Sequence, residues 1–436
     1  MKRNSILNML LAGILITVAF GSCKLEEEDI FSESPAARIE NTLKSYNDIL
    51  CAAPNGWVME YFPTSSSQGY TFLMKFNKST AVTIAAKNTY TSNTYKTETS
   101  VFELIGDYGP VLTFNSYNKL FHLFSNPEDP LGTSDLDGYG LEGDYEFIVM
   151  SADSTTIRLR GKKRSTDIYL RKLDKSVEWE SYFNQIDAMK TQLFANNHET
   201  LNLQFENQNL YKLKNDIVAN GGYATIFRIY KDGLDPITDG EDRSYIITPK
   251  GIRFYEGFTD GTKAAQTFEL STDQQQLACV DNGVSASITG QNPAKYYMSN
   301  TNTWNYLLSE PMGSTFLNTY NTIVANCSSV LKEKFTNLYL RYNSTRKTYT
   351  LSFKSGKYVG YYDFARTDLG DNKVSLQYIG TSDANGTYYL KTITGFQSLL
   401  DNMSQTFTIT ANCGINVSLL KFTAVGDPNI SFYVSL

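Results

Sequence analysis

Apolar positions along this chain keep two rhythms that alternate three times. Ala36, Ile39, Leu43, Tyr46 and Leu50 recur at three- and four-residue steps, which places them on one face of a helix. Ser34-Pro35 supplies an N-cap and a first-turn proline for it, and Pro54-Asn55-Gly56 stops it. The same spacing returns from about Val177 to Phe194, through Trp179, Phe183, Ile186, Met189 and Leu193. It appears a third time from Ser314 to Phe335, through Phe316, Tyr320, Ile323, Cys327 and Leu331.

After each helix the rhythm shortens to short runs bounded by turn residues, which read as strands. The first set covers 57–62, 70–76, 81–86, 100–105, 111–114, 145–150, 156–160 and 167–173. The second covers 201–205, 224–230, 245–248, 251–255, 266–270 and 285–289. The third covers 337–342, 349–353, 358–364, 374–378, 406–410, 417–422 and 430–434. Ile157 and Leu159 alternating with Arg158 and Arg160 show the half-buried pattern clearly. Helical crossovers between strands are missing, which argues against a doubly wound fold. The expected class is therefore mainly β: antiparallel meander sheets or small barrels, each preceded by a packing helix. The predicted units are 34–174, 175–300 and 301–436, and their mutual sequence similarity is faint.

Composition changes the picture little. Aromatic residues make up 13% of the 436 residues, with 30 Tyr and 25 Phe, and flat rings favour strands. The net charge is −6 without a basic run, which speaks against a nucleic-acid partner.

The first 33 residues follow other rules. Lys2 and Arg3 precede an apolar run from Ile6 to Phe20, too short to cross a bilayer but suited to a signal peptide over 1–22. Gly21-Ser22-Cys23 resembles the lipobox of bacterial lipoproteins, with Phe20 where leucine is commoner. The resemblance implies cleavage between Ser22 and Cys23 and lipid attachment at Cys23. Removing 1–22 deletes two cations and no acids, giving 37 − 45 = −8 for the mature chain. Residues 23–33 then form a lipidated tether whose acidic run, Glu26, Glu27, Glu28 and Asp29, resembles the surface-export signal of Bacteroidota lipoproteins. These features predict an outer-membrane, lipid-anchored protein facing the cell exterior.

Candidate chemistry is sparse. The chain has only His122 and His198, and H-E-x-x-H, G-x-S-x-G and P-loop motifs are absent, so no catalytic residue, metal ligand or cofactor is assigned. Cys51, Cys279, Cys327 and Cys413 are widely spaced, and their pairing is left open; Cys327, on a helical stripe, is expected to be a packed thiol. Two acidic, glycine-containing loops are candidates for Ca²⁺ or for paired-carboxylate catalysis: 129–144, with Asp135, Asp137, Glu142 and Asp144, and 232–242. Turn chemistry explains both without an ion. The adjacent pairs Tyr296-Tyr297, Tyr361-Tyr362 and Tyr388-Tyr389 each point one ring outward if they lie on strands, where it can stack on a sugar or anchor a partner. Asp153-Ser154-Thr155 resembles a short O-glycosylation motif of exported Bacteroidota proteins.

Taken together with the lipobox and tether, Gly56-Trp57, the 70–76 run, Gly143-Asp144-Tyr145-Glu146-Phe147 and Gly251-Ile252-Arg253-Phe254-Tyr255 resemble a Bacteroidota lipoprotein family of unknown function. That resemblance implies a nutrient-capture accessory encoded beside a TonB-dependent transporter; with so little catalytic equipment in the chain, the expected role is non-enzymatic binding of a glycan or peptide. An exported hydrolase using paired carboxylates and a structural envelope protein are the alternatives.

Overall fold

The computed structural model describes residues 34–132, 138–195, 200–206, 210–218, 222–259, 263–299, 303–343 and 348–436. The predicted signal peptide, Ser22, Cys23 and the acidic run Glu26 to Asp29 lie outside them, as do Asp135, Asp137 and His198.

Helix α1, Pro35–Ala52, starts where the Ser34 side chain accepts the Ala37 N–H. It packs against one end of the first sheet. That sheet contains β1 to β9: Trp57–Tyr61, Tyr70–Phe76, Ala81–Ala86, Lys96–Val101, Glu103–Gly106, Pro110–Thr113, Glu146–Ala152, Thr156–Gly161 and Asp167–Lys172. The strand order is β4-β3-β2-β1-β9-β8-β7-β6-β5, and every pair is antiparallel. The two edges, β4 and β5, are consecutive in the chain with only Phe102 between them, so the sheet must curl until its edges approach. Loop bonds bridge the remaining gap: the Val101 N–H donates to Ser116 Oγ (2.7 Å) and the Asn115 N–H to Val101 O (3.1 Å). Phe102 turns into a core rich in edge-to-face rings, including Tyr61, Phe72, Phe121, Phe124 and Phe147.

Strand β1 is buried at all five positions, because both of its faces are covered. Trp57, Met59 and Tyr61 enter the core of the curled sheet, while Val58 packs outside with Leu73, Ala85 and Phe183. Phe183 belongs to α2, Trp179–Phe194, which serves two bodies. Its first half covers the outer face of the first sheet; Met189, Leu193 and Phe194 enter the core of the second unit, and Ile186 touches both.

The second unit is a closed barrel of β10 to β17: Thr200–Phe205, Leu210–Val218, Gly222–Lys231, Glu241–Thr248, Gly251–Thr259, Ala264–Leu270, Leu277–Cys279 and Ala286–Thr289. Closure comes from β10 pairing with β17, which leaves no free sheet edge. A four-residue helix α3, Pro236–Asp239, interrupts the hairpin between β12 and β13. Cys413 and Ile415 reach in from the next unit to complete this core.

Helix α4, Pro293–Ser299, joins the third core through Ala294, Tyr296 and Tyr297. The third barrel contains β18 to β25: Thr303–Tyr306, Phe335–Asn343, Thr348–Ser355, Tyr358–Gly370, Lys373–Thr381, Thr406–Ala411, Leu419–Ala424 and Ser431–Ser435. The long helix expected here, α5, spans Ser314–Ser329 and enters after the first strand; its predicted last turn is a non-helical turn that closes back on Asn326 and Cys327 before β19. Phe316, Ile323 and Cys327 form its buried stripe, so Cys327 is a packed thiol. The other cysteines of the described residues, Cys51, Cys279 and Cys413, are also free thiols. Helices α6, Ala384–Thr392, and α7, Phe396–Met403, contribute Tyr389, Phe396, Leu399, Leu400 and Met403 to the same core.

The fold is thus mainly β with antiparallel sheets: one curled nine-stranded sheet and two closed eight-stranded barrels. Among the described residues, no helix is long and apolar enough to cross a membrane.

Candidate functional site

The three tyrosine pairs meet different fates. Tyr296 and Tyr297 are helical and both buried, so they serve packing. Tyr361 and Tyr362 lie on β21 and divide as strand geometry requires. Tyr362 is fully buried, with its hydroxyl donating to Gly386 O (3.0 Å), whereas Tyr361 is 38% exposed. Tyr388 and Tyr389 also divide, but on helix α6, where Tyr388 is exposed and Tyr389 buried.

Tyr361 forms one wall of a groove on the outer surface of the third barrel. In the register of β19, β20 and β21, Tyr339 stands opposite Ser352, and Ser352 opposite Tyr361. Two rings therefore flank a small serine, roughly 9.5 Å apart across two strand spacings. The adjacent row is Arg341, Thr350 and Asp363, in which the Thr350 hydroxyl donates to Asp363 Oδ1 (2.7 Å). Inward-facing Leu338, Leu340, Leu351 and Phe353 hold these strands from the core side. Asn343, Tyr342 and Ser382 complete a cavity of about 400 Å³. Asp383 helps fix the Tyr361 wall by accepting the Tyr361 N–H (2.8 Å) and the Gly386 N–H (3.0 Å).

Deeper in this barrel, the Arg366 guanidinium lies 4.3 Å from the Tyr349 ring centroid and 4.6 Å from that of Tyr342, and donates to Tyr297 O (3.2 Å). This contact holds Tyr342, part of the groove wall, against a fixed cation. Two aromatic walls over a floor of hydroxyls, with a guanidinium and an amide within the cavity, suit a polyhydroxylated or amide-bearing ligand. Sequence patterning gave the Tyr361 wall. Tyr339, Arg341, Thr350 and Ser352 were missed, although their period-two alternation against leucine and phenylalanine was there to be read.

The acidic loops have other occupations. Asp144 is buried, and its carboxylate accepts the backbone N–H groups of Lys163 (3.0 Å) and Arg164 (2.8 Å). Burial raises its pKa, and those hydrogen bonds oppose the rise. Glu142 pairs with Arg164, and Asp129 Oδ1 accepts the Leu131 N–H. In the second loop Asp235 caps α3 through the Ile237 N–H, while Asp232 pairs with Lys212, Glu241 with Arg243 and Asp242 with Arg228. Among the described residues, no three His, Cys, Asp or Glu side chains gather as a metal site. Asp153 Oδ1 accepts the Thr155 N–H, the Thr155 hydroxyl and the Thr156 N–H, closing the β7–β8 turn.

His122 is equally occupied. Its Nδ1 accepts the Asn118 N–H (3.0 Å), so the proton sits on Nε2 and is donated to Phe114 O (3.0 Å). The ring lies between Tyr117 and Tyr145, and burial lowers its pKa from the ordinary 6.5.

Fold and groove together define an all-antiparallel, three-unit β protein with a polar, tyrosine-walled pocket on its last barrel. The chain belongs to the DUF4302 family, a domain of unknown function whose model matches residues 27–272, more than half of the sequence. The matched segment ends within the second barrel, between β15 and β16, so the groove lies beyond it. No curated protein matches the chain. A solved structure of DNA polymerase III subunit beta from Borrelia burgdorferi, in complex with a natural product, covers 91% of this chain and 96% of that chain. Its sequence identity is 11% and its TM-score 0.12, a likeness that carries no argument.

Proposed function

We propose that this protein is a non-enzymatic glycan-binding lipoprotein on the outer surface of a Bacteroidota cell, working beside a TonB-dependent uptake complex. The observation that carries the binding reading is the groove in which Tyr339 and Tyr361 flank Ser352. A pyranose presents an apolar face for ring stacking and a rim of hydroxyls for polar partners. Arg341, Asn343, Thr350 and Ser352 supply those partners along one surface. A peptide could use the same donors, but a polyhydroxylated ligand matches the alternation of ring and hydroxyl more fully.

The test is titration of the mature chain without its lipid-bearing Cys23, residues 24–436, against a glycan array and then calorimetry with the best ligand. Tyr339→Ala and Tyr361→Ala should each weaken binding at least tenfold, about 1.4 kcal/mol. Unchanged affinity in both variants overturns the groove assignment, and release of shorter oligosaccharides by the wild-type protein overturns the non-enzymatic part.

The address rests on Gly21-Ser22-Cys23 and the acidic run behind it. Cys23→Ala should abolish palmitate labelling and leave an unprocessed precursor. Replacing Glu26 to Asp29 with alanine should preserve labelling but protect the protein from protease added to whole cells. Equal shaving of both forms would remove the surface-export reading.

A further inference from the structure

A second cavity on the third barrel, well away from the Ser352 floor in sequence register, is built differently. It has about 250 Å³ of space between the segment that follows α5 and the outer side of α6. Glu333 enters from the first side, held by its N–H donating to Cys327 O (3.0 Å). Its carboxylate lies over Gly356, where an added Cβ would come 3.0 Å from the carboxylate carbon and 3.3 Å from each oxygen. Gly356 has φ +56°, a backbone conformation that favours glycine.

The Glu333 carboxylate has no ion pair or hydrogen bond among the described residues. Tyr358 and Tyr388 stand at the rim, 46% and 55% exposed. Tyr389, only 2% exposed, lines the same cavity, and its hydroxyl has no hydrogen-bond partner. Burial, reinforced by the Glu333 charge, pushes that phenol up to about 12. Asn385 donates its amide N–H to Val359 O (3.0 Å), which leaves its Oδ1 as an acceptor. The cavity wall thus presents a carboxylate, an amide oxygen, a phenol and two ring faces. A cation already favours one of those rings: Lys357 Nζ lies 5.2 Å from the Tyr358 centroid.

We propose that this cavity is a binding site for a protonated primary amine carried on a small polar body, with Glu333 as its counter-ion and Tyr358 and Tyr388 as its aromatic walls. Carboxylate and ring faces both select positive charge, and an ammonium group brings three donors for the carboxylate, the amide oxygen and the phenol oxygen. The volume admits one sugar ring or one amino-acid side chain, so the amine belongs either to a hexosamine or to a lysine-like chain. The proposal is independent of the glycan groove, since the two cavities share no lining residue.

The experiment is calorimetry or ligand-observed NMR on mature protein carrying Tyr361→Ala, which removes sugar binding in the glycan groove, with glucosamine, N-acetylglucosamine and lysine amide at millimolar concentration. Glucosamine or lysine amide should bind, and which of them binds tells the source of the amine; N-acetylglucosamine, which lacks the charge, should not. Glu333→Gln, a near-isosteric change, should weaken amine binding at least tenfold, and Tyr388→Ala, at an exposed position, should weaken it as well. Lysine amide, which is no ligand for the sugar groove, should bind equally with and without Tyr361→Ala. Equal binding of glucosamine and its N-acetyl form, full binding by Glu333→Gln, or no binding of either amine overturns the proposal.

Discussion

Glu60 and Arg253 form an ion pair between the first sheet and the second barrel, from positions 193 residues apart in the chain. Glu60 is 5% exposed, on the outward side of β1, and both of its oxygens also accept from Arg171 Nε at 3.1 Å. Arg253 is further held by Thr267 Oγ1 (3.1 Å), and Tyr182 of α2 lies close enough for the Glu60 charge to bear on its phenol. One buried carboxylate is therefore shared by two guanidinium groups where two units and their linking helix meet.

Glu60→Ala should cost about 3 kcal/mol, because removing one partner of a buried pair leaves the others uncompensated. Arg171, one-third exposed, is partly screened, which keeps the figure at the low end of such losses. Urea unfolding followed by tryptophan fluorescence reports on this directly, since Trp57 and Trp179 flank the junction. An unmoved midpoint would show that apolar contacts such as Val58 with Phe183 hold the units together without the ion pairs.

His122 makes the first unit sensitive to mild acid. Its folded-state pKa lies below the ordinary 6.5, so the unfolded chain takes up a proton that the folded chain resists. The stability is fully present above pH 6.5 and declines as pH falls from there towards the folded value. The slope is at most about 1.4 kcal/mol per pH unit for one proton. Denaturation midpoints measured between pH 7.5 and pH 5, roughly the titration range of an imidazole, should fall in the wild type and flatten in His122→Gln. Parallel curves for the two proteins would assign the acid sensitivity to other groups.

Asp144 sits in a loop that its composition offers as a cation site, yet its carboxylate binds two backbone N–H groups of the 161–166 turn. Gly161 leaves room for it: a Cβ there would lie 2.2 Å from Asp144 Oδ2. Asp144→Ala should destabilise by about 2 kcal/mol, the cost of leaving buried partners unsatisfied. That loss should be equal in Ca²⁺ and in chelator. Stabilisation of the wild type by Ca²⁺ that vanishes in the variant would make Asp144 a ligand instead.

The residues that could be read in sequence and those that could not differ in how local their cause is. Pro35, Trp179 and Ser314 open helices whose apolar stripes are long enough to show a 3.6-residue period. Strand 156–161 shows its alternation because one face meets the core and the other solvent. Strand β1 hides its alternation because α2 covers the outer face, so even Glu60 is buried. Strands β16 and β18 have three and four residues, too few for a period, and barrel closure rather than local propensity makes them extended. Helices α6 and α7, nine and eight residues long, are too short to show a 3.6-residue period clearly. Gly386 lets α6 approach the backbone of Tyr361, and Gly395 adopts φ +86° to start α7. The groove itself depends on three strands coming into register, and no single segment contains that information.

Tyr361 and Tyr362 test the groove most sharply, because adjacent residues of one strand face opposite sides. Tyr362 lies in the core, tilted against Phe396 at 4.7 Å between centroids, with its phenol pushed above the ordinary range by burial. Tyr362→Ala should therefore cost about 3–5 kcal/mol, as large-to-small core changes do. Tyr362→Phe should cost only about 1 kcal/mol, the hydroxyl bond to Gly386 O. Neither change touches the groove floor, so glycan affinity measured below the unfolding transition should persist in Tyr362→Phe. Tyr361→Ala should do the reverse, losing affinity while its urea midpoint stays within about 0.5 kcal/mol of wild type, as for an outward-facing surface position. If both substitutions reduce stability and binding together, the outer groove and the inner core are one cooperative element, and the ring at Tyr361 supports the barrel rather than a ligand.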